Sequence, residues 1–212
     1  MSESEQPEVQ NEKRLVIAIS GASGSLYAMH LIQALNRIRG TTQLIVSPSA
    51  IRVFRQEMEA NVSSASDLLG WIQEHSPAPG IHQFEIQNFA DIGARAASGS
   101  SHHDGMAIVP CSMKTLASIA HGMSGNLIER AADVTLKERR HLVVVPRETP
   151  YSLIHLRNMT SLTEAGAIVL PASPGFYHRP ASFDDLGRFI AGRVLSALGV
   201  RLELIPPWDG DS

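Results

Sequence analysis

Apolar residues fall along this chain in two rhythms: short unbroken runs, and longer stretches in which they recur every three to four positions. The first run, Leu15-Val-Ile-Ala-Ile-Ser20, closes in Gly21-Ala-Ser-Gly24. That is the pattern of a parallel strand buried on both faces and entering a tight turn. A helix follows, because at about 100° per residue Tyr27, Leu31, Ala34, Leu35 and Ile38 share one face, with Met29, Gln33 and Arg37 opposite and Gly40 ending the pattern. Gln43–Ser47 predicts a second strand, Ser49–Glu59 a second helix, Asp67–His75 a third, and Ser76–Gly80 a loop. Gln83–Gln87 alternates like a strand, and Met106–Cys111, Leu142–Pro146 and Ala167–Pro171 add three more. Helices are expected after Cys111 and over Asn126–Arg140, Tyr151–Ala165 and Phe183–Leu198. Continuous apolar strands alternating with helices predict an α/β fold of three layers, a parallel sheet with helices on both faces. Such sheets bind ligands at the carboxyl ends of their strands, where Gly21–Gly24, Ser47, Cys111–Thr115 and Arg147–Thr149 fall.

Residues 1–13 carry no aromatic residue and one aliphatic, Val9, so they cannot bury enough surface to offset the entropy of ordering; they read as a disordered tail. Residues 14–205 then form a single domain and 206–212 a C-terminal segment, a division that suits 212 residues. The net charge of −3 belongs to the tail, where Glu3, Glu5, Glu8 and Glu12 face Lys13 alone. Beyond it 17 acids balance 17 bases, so no global field favours nucleic acid or an anionic membrane. No apolar run approaches the ~18 residues of a membrane span, and the N-terminus lacks a signal-peptide layout, which together predict a soluble cytoplasmic protein. The single cysteine, Cys111, cannot form an internal disulfide, and no CxxC pair or HExxH motif suggests a metal.

Gly21–Gly24 is neither a dinucleotide fingerprint nor a P-loop. It is a strand-to-helix turn suited to one phosphate or a flavin edge, or simply a tight turn in which Ser23 caps the helix. Pro110-Cys-Ser-Met-Lys-Thr115 repeats the arrangement, adding two hydroxyls and the Lys114 ammonium. On the last helix Leu186, Phe189, Ile190 and Ala197 define an apolar stripe with Arg193 in its middle. A buried guanidinium there needs an anion, either a structural carboxylate or a ligand phosphate. Arg147 and Glu148 leave a buried strand at its carboxyl end, either as an ion pair or as a phosphate holder beside a proton donor. His102 and His103 are neighbours in extended chain and point apart, which marks a polar turn.

These segments, with Arg130-Ala-Ala-Asp133, Leu136-Lys-Glu-Arg-Arg140 and Pro174-Gly-Phe-Tyr-His-Arg-Pro180, resemble the UbiX-type flavin prenyltransferases over about residues 14–208. The resemblance implies a flavodoxin-like, Rossmann-like fold in a homododecamer. It implies an enzyme that binds FMN and joins a dimethylallyl unit from dimethylallyl monophosphate to flavin N5 and C6, without a metal. The prenylated FMN serves a partner UbiD-type decarboxylase. Carried over, Gly21, Ala22, Ser23, Ser47, Ser112, Met113, Lys114, Thr115 and Arg147 match FMN contacts, and Tyr177 and Arg193 match contacts to the prenyl phosphate. Ser23 would relay the N5 proton and Glu148 would protonate the departing phosphate. Lys137, Arg147 and Arg193 would hold its charge, and Trp208 would wall the allylic cation. Lys137 shares a polar helix face with Arg130 and Asp133, so only a neighbouring chain or a folded-back loop could bring it to the site. The alternatives are an FMN-dependent cysteine decarboxylase of the same fold and a non-catalytic FMN carrier.

Overall fold

The computed structural model describes residues 12–77 and 80–206. In chain order they form β1 (Lys13–Ile19), α1 (Ser25–Leu35), β2 (Gly40–Val46), α2 (Pro48–Glu57), α3 (Ala65–Glu74), β3 (Gln83–Gln87), β4 (Gly105–Cys111), α4 (Met113–Ala120), α5 (Leu127–Lys137), β5 (His141–Pro146), α6 (Leu153–Glu164), β6 (Ile168–Val169) and α7 (Phe183–Ala197). The predicted tail lies outside the described residues except for Glu12 and Lys13, and Lys13 is not tail: it opens β1 and pairs in register with Gly40. Gly40 correspondingly opens β2, since α1 stops at Leu35. Of the C-terminal segment only Pro206 is described.

All six strands are parallel, in the order β3-β2-β1-β4-β5-β6. The chain winds outward from β1 to β3 and then returns to β4 and winds the other way. Its crossovers therefore leave opposite faces where β1 and β4 lie side by side, and a crevice opens at the carboxyl ends of those two strands. Alternate strand residues enter different cores. Leu15, Ile17, Ile19, Leu44 and Val46 pack with α1, α3 and α7, whereas Val16, Ala18, Ile45, Met106, Ile108 and Val144 pack with α4 and α5. Burial on both faces is why the runs are continuous rather than alternating.

Helix α1 departs from its predicted amphipathic pattern. Met29, placed on the polar side by periodicity, is buried along with His30, because α7, α2 and α3 all pack against the helix. The approach of α7 requires glycine at position 187, where a Cβ would lie 2.2 Å from His30 Cδ2. His30 Nε2 meets Asp184 Oδ1 at 3.1 Å in the first turn of α7. Burial nevertheless keeps the imidazole pKa below its ordinary value against the pull of that carboxylate.

Candidate active site

The crevice is built by hydrogen bonds that tie strand ends together. Ser20 is buried at the end of β1; its Oγ donates to Pro110 O at 3.0 Å and accepts from Ser112 N at 2.7 Å. Ser47 N donates to Ile19 O at 3.0 Å, which brings the start of α2 alongside. Gly21 is pressed against that start, where a Cβ would come within 2.3 Å of Ser49 Oγ. Ser47 Oγ caps α2 by accepting from Ala50 N and lies 3.0 Å from Ser49 Oγ.

The first turn is not capped by Ser23. The N-cap of α1 is Gly24, at φ 115°, with no side-chain cap of its own. Glu57, the last residue of α2, fills that place: its carboxylate accepts from Gly24 N at 3.0 Å and Ser25 N at 2.8 Å, and it also bonds the Ser23 side chain. Burial opposes ionisation of Glu57, yet these hydrogen bonds outweigh it and hold its pKa below the ordinary 4.5. A ligand phosphate therefore finds these two helix amides already occupied, whereas a flavin edge can still meet Ser23. Arg147 reaches the same turn, with Nε donating to Ser23 O at 3.2 Å. Tyr27 sits beneath; burial raises its pKa, with the Arg147 charge opposing. Glu57 was not singled out from the sequence. Its position at the end of the second helix was legible, but no local pattern reveals that it reaches back 33 residues to Gly24.

The second turn is capped from within. Ser112 Oγ accepts from Thr115 N at 3.3 Å and donates to Thr115 Oγ1 at 3.0 Å, while Met113 is buried and Lys114 is exposed. The Cys111 thiol is fully buried and its pKa is pushed up to about 12, which leaves it unreactive.

Arg147 and Glu148 do not form an ion pair among the described residues. Arg147 turns to Ser23, and Glu148 Oε1 accepts from its neighbour Thr149 N at 3.0 Å. Arg193 is a larger correction. The buried stripe of α7 is Gly187, Ile190, Ala191, Val194 and Leu195, and Arg193 lies outside it, exposed. Its guanidinium is not buried and so does not demand an anion. Instead Arg193 lines an open cavity of about 360 Å³ with Tyr177, Phe189, Ser196 and the segment Leu202–Pro206. The Tyr177 ring meets Phe189 edge-on at 6.0 Å, so the cavity joins a guanidinium to an aromatic wall. Trp208 lies outside the described residues, two positions beyond Pro206 on the cavity rim.

Lys137 is not brought to the crevice. It ends α5, pairs with Glu138 and stands beside Gly99, at the end of the sheet where β5 begins. Arg147 follows the other end of β5, whose six residues span about 20 Å. Arg130 meets Asp133 at 2.7 Å on the same helix. His102 is exposed and 3.8 Å from Asp104, whereas His103 is buried; burial and then the Arg140 charge lower the His103 pKa to about 4. The two imidazoles thus point apart.

This doubly wound sheet, with a crevice of hydroxyls and one guanidinium at its switch point, is that of a flavoprotein, and residues 3–194 match the family described as Flavoprotein. Among relatives, the flavin prenyltransferase UbiX of Alkalihalophilus pseudofirmus is 43% identical over 197 residues, 93% of this chain and 96% of that protein. A solved structure of AnUbiX (PadA1) in complex with FMN and dimethylallyl pyrophosphate matches with a TM-score of 0.83 at 38% identity, covering 95% of this chain and all of that one. A dodecameric FMN-dependent Ubix-like decarboxylase from Escherichia coli O157:H7 matches at 0.82 and 38%, covering 93% and 100%. Within the flavoproteins, then, this chain belongs to the UbiX family of flavin prenyltransferases.

Proposed function

We propose that this protein transfers a dimethylallyl group from an allylic phosphate to N5 and C6 of reduced FMN. The product, prenylated FMN, would pass to a UbiD-type decarboxylase. The observation that carries this reading is the arrangement at the first turn. Ser23 is bonded through its hydroxyl to the Glu57 carboxylate and through its carbonyl to the Arg147 guanidinium. A proton can leave at one side of Ser23 while an anion is held at the other.

The residues fit FMN, since the crevice offers neutral hydroxyls from Ser23, Ser47, Ser112 and Thr115 beside Gly21 and Ala22, and a cation at Arg147. Met113 and Lys114 flank this set. Reduced FMN would supply the nucleophilic N5 and C6. Ser23, bonded to the Glu57 carboxylate, would take the proton released at N5 as the allylic C–O bond is exchanged for a C–N5 bond, and would pass its own to Glu57; the bond to C6 would follow on protonation of the prenyl double bond and loss of the C6 proton. Glu148 gives a proton to the departing phosphate. Arg147 and Arg193 hold the phosphate's charge, the electrostatic stabilisation on which an ionising leaving group depends. Tyr177 with Phe189 presents aromatic surface that favours a developing cation, the role the family resemblance also gives Trp208.

Lys137 acts in the same site only if a second copy supplies it, because one chain keeps it a strand's length from Arg147. We therefore read residues 14–205 as one unit of a homododecamer whose sites are completed between copies. The absence of a helix long and apolar enough to cross a membrane, among the described residues, and the free buried Cys111 support a cytoplasmic setting.

The test is anaerobic incubation with reduced FMN and either dimethylallyl monophosphate or the pyrophosphate, followed by the flavin mass. Gain of a five-carbon unit is expected, and no gain with either donor overturns the proposal. Mixing Lys137→Ala with Arg147→Ala protein should restore activity that neither has alone. Failure of well-folded, co-assembled chains to do so removes the shared site.

A further inference from the structure

Lys137 stands where α5 ends and β5 is about to begin, and three features of the chain converge on its ammonium. The first is the end of the helix. Arg139 N donates to Leu136 O and Arg140 N to Thr135 O, both at 3.0 Å, with Arg139 in the left-handed conformation at φ 56°. These bonds close α5 at Lys137 and fix the direction in which Glu138 and Arg140 leave it. The second is Arg140, whose guanidinium donates to Gly99 O and Ser101 O, both at 2.8 Å, and so holds segment 98–101 onto the helix end. Just before that segment Ala96 and Ala97 are buried in the α4–α5 core, which anchors it from its other side. The third is the gap at Gly99. A Cβ there would lie 2.5 Å from Glu138 Oε1 and 2.9 Å from Lys137 Nζ, so neither atom could stay in place beside a side chain at position 99.

Stability does not account for this arrangement. The side chains of Lys137 and Glu138 are 50% and 35% exposed, and an ion pair so placed contributes little to folding. The hydrogen bond from Lys137, and then its charge, hold the Glu138 carboxyl below its ordinary pKa, so the partner of the ammonium is an ionised carboxylate at neutral pH. A lysine ammonium on its flexible stem samples many rotamers, and it loses that freedom on meeting an anion. Here the carboxylate and the close backbone of Gly99 restrict it beforehand. The atoms that crowd the Gly99 gap are the far ends of two flexible side chains. Filling the gap therefore moves the ammonium while costing the fold little.

We propose that Gly99 and Glu138 are positioning residues, which hold the Lys137 ammonium in the one orientation that reaches the phosphate in a second copy's site. The inference rests on the reading that Lys137 acts in that site. Glu138 binds the ammonium, Gly99 leaves the space it occupies, and Arg140 keeps the Gly99 segment against the helix end. Lys137 then arrives at the neighbouring site already oriented, which is how a charge held for a leaving group acts with least loss of freedom.

Single-turnover prenyl transfer on the full chain, alone and in co-assembled mixtures, tests the assignment. Gly99→Ala and Glu138→Ala should each slow transfer about tenfold or more, with thermal midpoint and FMN affinity unchanged. Glu138→Gln keeps an acceptor for Lys137 and should recover most of the rate. Co-assembly separates positioning from damage to the fold. Gly99→Ala chains mixed with Arg147→Ala chains should show a phase at the wild-type rate, because some sites then join an intact Arg147 to a well-held Lys137. Mixed with Lys137→Ala chains they should show none. Wild-type rates in Gly99→Ala and Glu138→Ala, or the same outcome in both mixtures, overturn the proposal. Failure of the Lys137→Ala and Arg147→Ala mixture removes the shared site itself, and the positioning role falls with it.

Discussion

The turns after β1 and β4 share a pattern of strand, small residues and helix, but their helix amides are satisfied by different means. At the second turn Ser112 caps α4 from the next residue in the chain, and Lys114 stays in solvent. At the first turn no side chain of the turn caps α1; a carboxylate arrives from 33 residues away and takes the amides of Gly24 and Ser25. The positive end of a helix dipole attracts an anion, and here the protein supplies its own. The lesson is electrostatic. A locally capped turn is a neutral set of donors, whereas one capped by an ionised Glu57 has a proton acceptor wired to Ser23.

That contrast can be broken in graded ways. The largest effect is expected from Glu57→Gln, which cannot take a proton from Ser23: single-turnover prenyl transfer should slow about 100-fold with FMN still bound, the usual scale for losing a general base. Unchanged turnover would make Glu57 a cap and nothing more. Gly24→Ala should destabilise the fold by about 2 kcal/mol in urea unfolding, since φ 115° is strained for any residue with a Cβ and that atom would come within 2.8 Å of the Tyr27 ring. Ser112→Ala should be milder, about 1 kcal/mol, the ordinary loss of a helix cap. If the two substitutions prove equal, the turns are alike in rigidity after all.

The smallest effect concerns acid. Glu57 has a folded pKa below its unfolded value of 4.5, so the fold binds fewer protons than the unfolded chain in that range. Its contribution to stability is present above pH 4.5 and is lost as pH falls through the lower folded value. Amide exchange at Gly24 and Ser25, corrected for intrinsic rates, should therefore rise over that window while Thr115, capped by a neutral hydroxyl, does not follow. Parallel behaviour of all three amides would show that Glu57 is not their ionised partner.

Much of this was readable in the chain. Runs such as Leu15–Ile19 and Leu142–Val145 have no polar alternation, which only a strand covered on both faces explains, and the carboxyl ends of those strands pointed to Ser23, Ser47, Ser112 and Arg147. The failures came where a side chain's surroundings are set by distant parts of the sequence. Periodicity put Met29 on a polar face, but α7 covers it; it put Arg193 in an apolar stripe, but the helix turns Gly187, Ala191 and Val194 to the core instead. Gly187 carries no hydrophobic signal, yet it marks a close approach of α7 to α1 that leaves no room for a Cβ.

Sequence by itself determined the strands, their parallel arrangement and the small polar turns, because these depend on local dihedral freedom and on which residues avoid water. Tertiary structure alone decided that Glu57 meets Ser23, that Arg147 turns to the Ser23 carbonyl rather than to Glu148, and that Lys137 lies at the far end of β5 with Gly99 against it. Each of those depends on register and crossing between elements far apart in the chain. Charge and hydrogen bonding act through space, and the sequence records only order.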